Sequence, residues 1–254
     1  MKNLKYLKKY YENLRNLLNS IGNLSSLKEL VIYNHCLKKL PESFGNLACL
    51  EKLELRECHQ LEKLPESFGN LRSLKELELY FHSFNKRFET LPESFGNLKS
   101  LERLDINGCL KRLPESFGNL SALEEFDFRC GKTVPFFPES FGRLKSLRKF
   151  EFEQEVCHEM MTDILENRET PRLEDIQNNA AIRLPESFGN LPSLEELSIN
   201  GKIAPLPESF GKLKLLKKLA LRFGFYTYRK GNSLLSEATS FMFIESFSIA
   251  KPYV

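Results

Sequence analysis

The chain has 254 residues, 41% of them hydrophobic, and 37 basic against 34 acidic side chains leave a net charge of only +3. That length and apolar content supply a continuous core, while the near-neutral balance gives no global argument for nucleic acid or an acidic substrate. No stretch approaches the roughly 18 apolar residues of a membrane-spanning helix.

At the N-terminus Leu4, Leu7, Tyr11, Leu14 and Leu18 recur at helical spacing with lysines between them, which predicts an amphipathic helix over residues 1–17. Its expected role is to cap the apolar end of the repeats that follow; lying on an anionic membrane is the less economical reading. Lys2, Lys5, Lys8 and Lys9 interrupt any apolar run, so no secretory signal is expected and the chain is placed in the cytoplasm.

From residue 18 to 224 the chain repeats. A PESFG pentapeptide, followed in most copies by Asn-Leu, begins at Pro41, Pro65, Pro92, Pro114, Pro138, Pro185 and Pro207, so successive gaps are 24, 27, 22, 24, 47 and 22 residues. A period in the low twenties marks a solenoid of stacked supersecondary units. Leu18 to Gly22 reads as a weak first copy. The 47-residue gap predicts one decayed unit near 155–180, with Met161 and Ile164 in the proline and phenylalanine slots. About nine units result.

Each unit has two parts. Leu101, Leu104 and Ile106 give an L-x-x-L-x-L run in which Arg103, Asp105 and Asn107 take the opposite face, the two-residue period of a strand. Pro114, Glu115, Phe117 and Leu120 then read as a short helical turn: proline at its opening, an acid at its positive end, two apolar residues facing the core. Gly118 is expected to supply permissive backbone where the next strand begins. The near-identity of the copies, their seven glutamates included, is the signature of packing rather than of one discriminating site.

The unit starting at Leu50 reads L-x-x-L-x-L-x-x-C-x-x-L-x-x-L-P-E-S-F-G-N-L. This pattern resembles the leucine-rich repeat family over about four fifths of the chain. Cys58, where many members carry Asn, and the L-P-x-S-x-G-x-L tail look most like repeats of intracellular disease-resistance receptors and Ras-associated scaffolds. The resemblance implies an α/β solenoid or horseshoe, with a parallel β-sheet on its concave face and short helical or 3-10 segments on its convex face. It also implies a protein-binding concave surface, without naming a ligand.

Catalytic and metal motifs fail on spacing. Gly131-Lys132-Thr133 lacks the leading glycine of a phosphate loop, since Phe126 stands in its place, and His158-Glu159 lacks the second histidine of a zinc protease helix, since Thr162 stands there. Cys58 and Cys109 fall in the same slot two units apart, roughly 10 Å at strand spacing, too far for a disulfide. No C-x-x-C pair exists, so neither a metal nor a cofactor is expected. His35, His59, His82 and His158 read as scattered, solvated or hydrogen-bonded side chains.

Residues 225–254 leave the repeat; Phe241, Met242, Phe243, Ile244, Phe247 and Ile249 suit either a cap over the last unit or a poorly structured tail.

Variation between units falls on outward strand positions. One column, Glu29, Lys52, Glu76, Arg103, Glu125, Lys149, alternates in sign and is explained by cross-strand pairing alone. The next column, Val31, Glu54, Glu78, Asp105, Asp127, Glu151, sets five carboxylates side by side, which is destabilising by itself. The third brings Tyr33, Arg56, Tyr80, Asn107 and Arg129, with Phe81 beside Tyr80 at the edge, the residue types that dominate interface hot spots. Two readings stand: a solvated, salt-bridged face, or an acidic track for a protein or basic peptide. The expected function is non-catalytic protein binding through this face. A multi-partner scaffold without one defined site is the alternative, and an enzyme a distant third.

Overall fold

The computed structural model describes residues 4–10, 15–81, 87–131, 134–154 and 181–222, with three short strands beyond them. Nine strands form one parallel sheet in chain order: β1 (Tyr6–Tyr10), β2 (Glu29–Tyr33), β3 (Lys52–Arg56), β4 (Glu76–Tyr80), β5 (Arg103–Asn107), β6 (Glu125–Cys130), β7 (Lys149–Gln154), β8 (Glu196–Asn200) and β9 (Lys218–Arg222). Of the later strands, β10 (Arg229–Lys230) and β11 (Ser233–Leu234) pair with each other, and β12 (Phe241–Ile244) runs antiparallel along β9. Each repeat crosses from its strand to a 3-10 turn on the opposite side, so the molecule is a solenoid with the sheet lining its concave face.

The alternation Leu53-in, Glu54-out, Leu55-in makes β3, and Leu61, Leu64, Phe68 and Leu71 of the same unit close the core beneath it, all buried. In the turn, Pro65 sits just before the first helical residue with φ −70° and ψ 156°. Its fixed φ presets the entry, and the turn itself is Glu66–Asn70. Phe68 N–H donates to the Pro65 carbonyl at 3.0 Å, giving the three-residue closure of a 3-10 helix.

Between units the pentapeptide performs three tasks. Its phenylalanines form one continuous spine, Phe44, Phe68, Phe95, Phe117, Phe141, Phe188 and Phe210, with ring centroids 5.9 to 6.3 Å apart and planes within 9° of parallel. Its glutamates cap the following turn: Ser67 N–H donates to Glu42 at 3.1 Å, Ser116 N–H to Glu93 at 3.3 Å and Ser187 N–H to Glu139 at 3.0 Å. Its glycines allow contact between turns, since a Cβ on Gly45, Gly96 or Gly118 would lie under 3.0 Å from the serine carbonyl oxygen of the next unit. Gly118 is therefore required by close approach and not by backbone freedom; among the described glycines only Gly201 has a positive φ.

Two expectations about the ends of the pattern change. Tyr6–Tyr10 is a strand, not part of a helix over 1–17, and Leu7 pairs with Leu30 in the same register that joins every later pair. The reason is that Leu4 and Leu7 precede Leu27 and Leu30 by 23 residues, one repeat period, so an open sheet edge captures the segment and buries both leucines partly against the core. Within the long gap, β7 and β8 are hydrogen-bonded neighbours and the Phe141 and Phe188 rings stack directly. No further strand stands between them, and the decayed unit read at 155–180 lies outside the described residues, as do residues 82–86 of the insertion.

Candidate protein-binding face

Strand register turns the aligned columns into physical rows. Glu29, Lys52, Glu76, Arg103, Glu125, Lys149, Glu196 and Lys218 are successive partners across the sheet, as are Val31, Glu54, Glu78, Asp105, Asp127, Glu151, Ser198 and Ala220. The third row is Tyr33, Arg56, Tyr80, Asn107, Arg129, Glu153, Asn200 and Arg222. The five carboxylates are thus adjacent, bounded by buried Val31 on one side and Ser198 on the other.

Basic side chains from the flanking rows reach into this track. Arg56 binds Glu54 through Nε at 2.8 Å and Glu78 through its other arm, bridging two strands. Lys52 lies 3.2 Å from Glu54 and 3.7 Å from Glu78; Arg129 donates to Asp127 at 2.6 Å; Lys149 meets Glu151 at 2.9 Å. Asp105 has no such bond. Its Oδ1 is buried without a hydrogen-bond partner among the described residues. Burial first, and then the Asp127 charge, push its carboxyl up to about 6, against the attraction of Arg129. Burial likewise raises Asp127, with Arg129 opposing. At the centre of the track Asp127 is paired with Arg129, while Asp105 beside it has no ion pair of its own among the described residues.

Of the eleven side chains expected on this face, Tyr33, Glu54, Arg56, Glu78, Tyr80, Asp105, Asp127, Arg129 and Glu151 line it. Phe81 does not. It is fully buried, edge-on to Phe88 at 4.8 Å, because it continues the inward parity of Leu77 and Leu79. Asn107 holds its predicted row position but is only 2% exposed between Tyr80 and Arg129, and its side chain belongs to the floor of the face.

The new strand β1 adds what the columns lacked. Tyr10 is 66% exposed and stacks on Tyr33 at 4.6 Å, with the Lys8 ammonium 5.5 and 5.4 Å from the two rings. Arg56 then lies over Tyr80 at 6.0 Å. Tyr10, Tyr33, Arg56 and Tyr80 form a ladder of rigid amphipathic side chains beside the acidic track, the chemistry from which interface anchors are made.

A family model described as a leucine-rich repeat region matches residues 1–88, a span that begins before β1 and ends after β4. The leucine-rich repeat domain of the type III effector XopL shares the fold with a TM-score of 0.52 at 20% identity, over 80% of this chain and 72% of that one. The chain folds as a leucine-rich repeat solenoid. The Drosophila Toll–Spatzle complex contains a second similar chain, with a TM-score of 0.51 and 20% identity over 79% of this chain but only 28% of the other. No curated protein matches the sequence. Leucine-rich repeat solenoids are in general interaction modules without catalysis, and they work through the extended surface that stacking creates. No helix among the described residues is long and apolar enough to cross a membrane. Cys58 is a packed thiol whose burial pushes it up to about 12, which keeps it protonated and chemically quiet.

Proposed function

We propose that the chain is a non-catalytic recognition module that binds a protein or basic peptide along the acidic row of its concave face. One observation carries this reading. Glu54, Glu78, Asp105, Asp127 and Glu151 stand side by side in register, and the central one has an oxygen with no partner among the described residues. A sheet that only needed solvation has no use for five adjacent like charges, each neighbour of which is destabilising. A lysine or arginine arriving at Asp105 would relieve that repulsion, so the energy held in the free face is returned on binding. At ~4.8 Å per strand the row spans ~19 Å, the length of about six residues of extended peptide. The Tyr10, Tyr33, Arg56 and Tyr80 ladder beside it offers the apolar anchoring that charge alone does not give.

The test compares the native chain with a combined Glu78→Gln, Asp105→Asn, Asp127→Asn variant, which keeps side-chain shape, on immobilised peptides of graded lysine and arginine content. Native binding should weaken with salt, and the variant should lose roughly tenfold or more in affinity, about 1.4 kcal/mol. Equal affinity and equal salt dependence would reduce the row to a solvated face. Tyr33→Ala should weaken the native interaction while leaving its salt dependence in place.

A further inference from the structure

At the rim of the solenoid, just past the ends of β2 and β3, three side chains from two different repeats converge. His35, Glu57 and His59 each offer a ligand atom, and these atoms lie within 4.8 Å of one another. The histidine rings stack with centroids 5.3 Å apart. We propose that these three residues bind a divalent transition-metal ion of the Zn²⁺ class, a two-histidine, one-carboxylate set of the kind such ions accept.

Proton placement supports this assignment. His59 Nδ1 is 2.9 Å from the Phe81 carbonyl oxygen, which can only accept, so Nδ1 carries the proton and donates. That bond fixes ring orientation and turns the Nε2 lone pair outward, the arrangement that backs metal-bound histidines. Nε2 then faces Glu57 Oε2 at 3.0 Å. Two acceptors at that distance need a positive charge between them. A proton, making His59 an imidazolium, would serve those two atoms alone. It would give no reason for the His35 ring to stack on the same imidazole and bring a third donor to the same point, whereas a cation uses all three.

The backbone is shaped to the same end. Tyr33 and Arg56 pair across the sheet and are 23 residues apart, while His35 and His59 are 24 apart, so the second repeat carries one extra residue. The extra residue falls in the turn that follows Arg56, where Glu57 has φ 57°, the one non-glycine in the left-handed region among the described residues. Its N–H still donates to the Tyr80 carbonyl at 2.8 Å, as Asn34 N–H does to the Arg56 carbonyl, so the backbone leaves the ladder only after Glu57. Left-handed backbone is unfavourable for glutamate and natural for glycine, and such strain concentrates where a side chain must be aimed. Small rotations of exposed His35 and of Glu57 would close the donors to the ~2.0–2.2 Å metal distances of this chemistry. Three protein ligands leave a further position for water or for a donor on a docked partner beside Tyr33 and Arg56.

The experiment uses the full chain stripped with EDTA, Zn²⁺ titration by calorimetry and Co²⁺ titration by visible absorption. One saturable site is expected. His35→Ala and Glu57→Gly should each weaken it by roughly tenfold or more. Glu57→Gly should also melt at higher temperature than the native chain in EDTA, because it relieves the left-handed residue, so a loss of metal binding there cannot be a loss of fold. Absence of saturable binding would overturn the proposal. So would a site of unchanged affinity in both variants, which would place the ion on other histidines or cysteines of the chain.

Discussion

Asp105 faces Glu78 on one neighbouring strand and Asp127 on the other, and its carboxyl stands well above the ordinary range, at about 6. Because the unfolded chain releases this proton near the usual aspartate value while the folded chain holds it to about 6, the folded state binds the extra proton between those limits. Stability from this group is therefore present at acid pH and is lost as pH rises through about 6. Binding of a basic partner runs the other way, since protonation removes a charge from the middle of the row. Asp105→Asn should raise the melting temperature by a few degrees at neutral pH, and flatten both profiles between about pH 4 and 7. Thermal melts and peptide titrations across that interval check the two trends; a native chain whose stability rises steadily with pH there would contradict this account. The outward residues of the row were legible because strand parity fixes which side chains leave the core. The same parity places Phe81 inside with Leu77 and Leu79, so that signal was present in the sequence and was outweighed by adjacency to Tyr80. The burial of Asn107 had no sequence signal, because it depends on what Tyr80 and Arg129 cover from neighbouring strands.

Among elements, the 3-10 turns decide how closely repeats stack. Gly96 packs against the Ser116 carbonyl of the next turn, and an added Cβ would lie under 3.0 Å from it, whereas Gly211 in the last described turn has nothing within 4 Å among the described residues. The same substitution in the same pentapeptide should then have opposite outcomes. Gly96→Ala should destabilise by about 1–3 kcal/mol or more, the range for overpacking against backbone that cannot yield. Gly211→Ala should be neutral or stabilise by up to ~1 kcal/mol through the unfolded chain. Denaturant melts of the two variants measure this directly, and equal effects would mean that close approach is not what the glycine provides. Helical and strand periods compete over residues 4–18: Leu4, Leu7, Tyr11, Leu14 and Leu18 satisfy the first, while the 23-residue offset from Leu27 and Leu30 satisfies the second. Lys9, opposite buried Ile32, breaks the strand pattern and hid it. The unpaired edge of β2 decides the outcome, because backbone groups left without ladder partners are what a further strand satisfies.

For the whole molecule the question is how the stack stays continuous across the longest interval between repeats. β7 joins β8 without an intervening strand, and the Phe141–Phe188 step of 5.9 Å matches every other step of the spine. The crossing from strand to convex side in the next repeat needs only three steps, from Asn200 to Ile203. Glu153 pairs with Asn200 and Ile182 bridges Ile203, so the equivalent crossing in the interrupted repeat runs from Glu153 to Ile182. A 47-residue gap suggested two stacked units by arithmetic alone; a period counts residues and cannot tell a stacked unit from an excursion. Excising residues 155–180 and joining Gln154 to Ala181 leaves the same three steps between Glu153 and Ile182. In a solenoid stability is a sum of unit terms and nearest-neighbour interfaces, and this excision removes no interface among the described residues. The shortened chain should therefore unfold in one transition within a few degrees of the native one and retain the concave-face interaction. Two separate transitions, or loss of folding, would show that residues 155–180 contribute an interface of their own, and the stack would then have to be redrawn with β7 and β8 belonging to two units of stability.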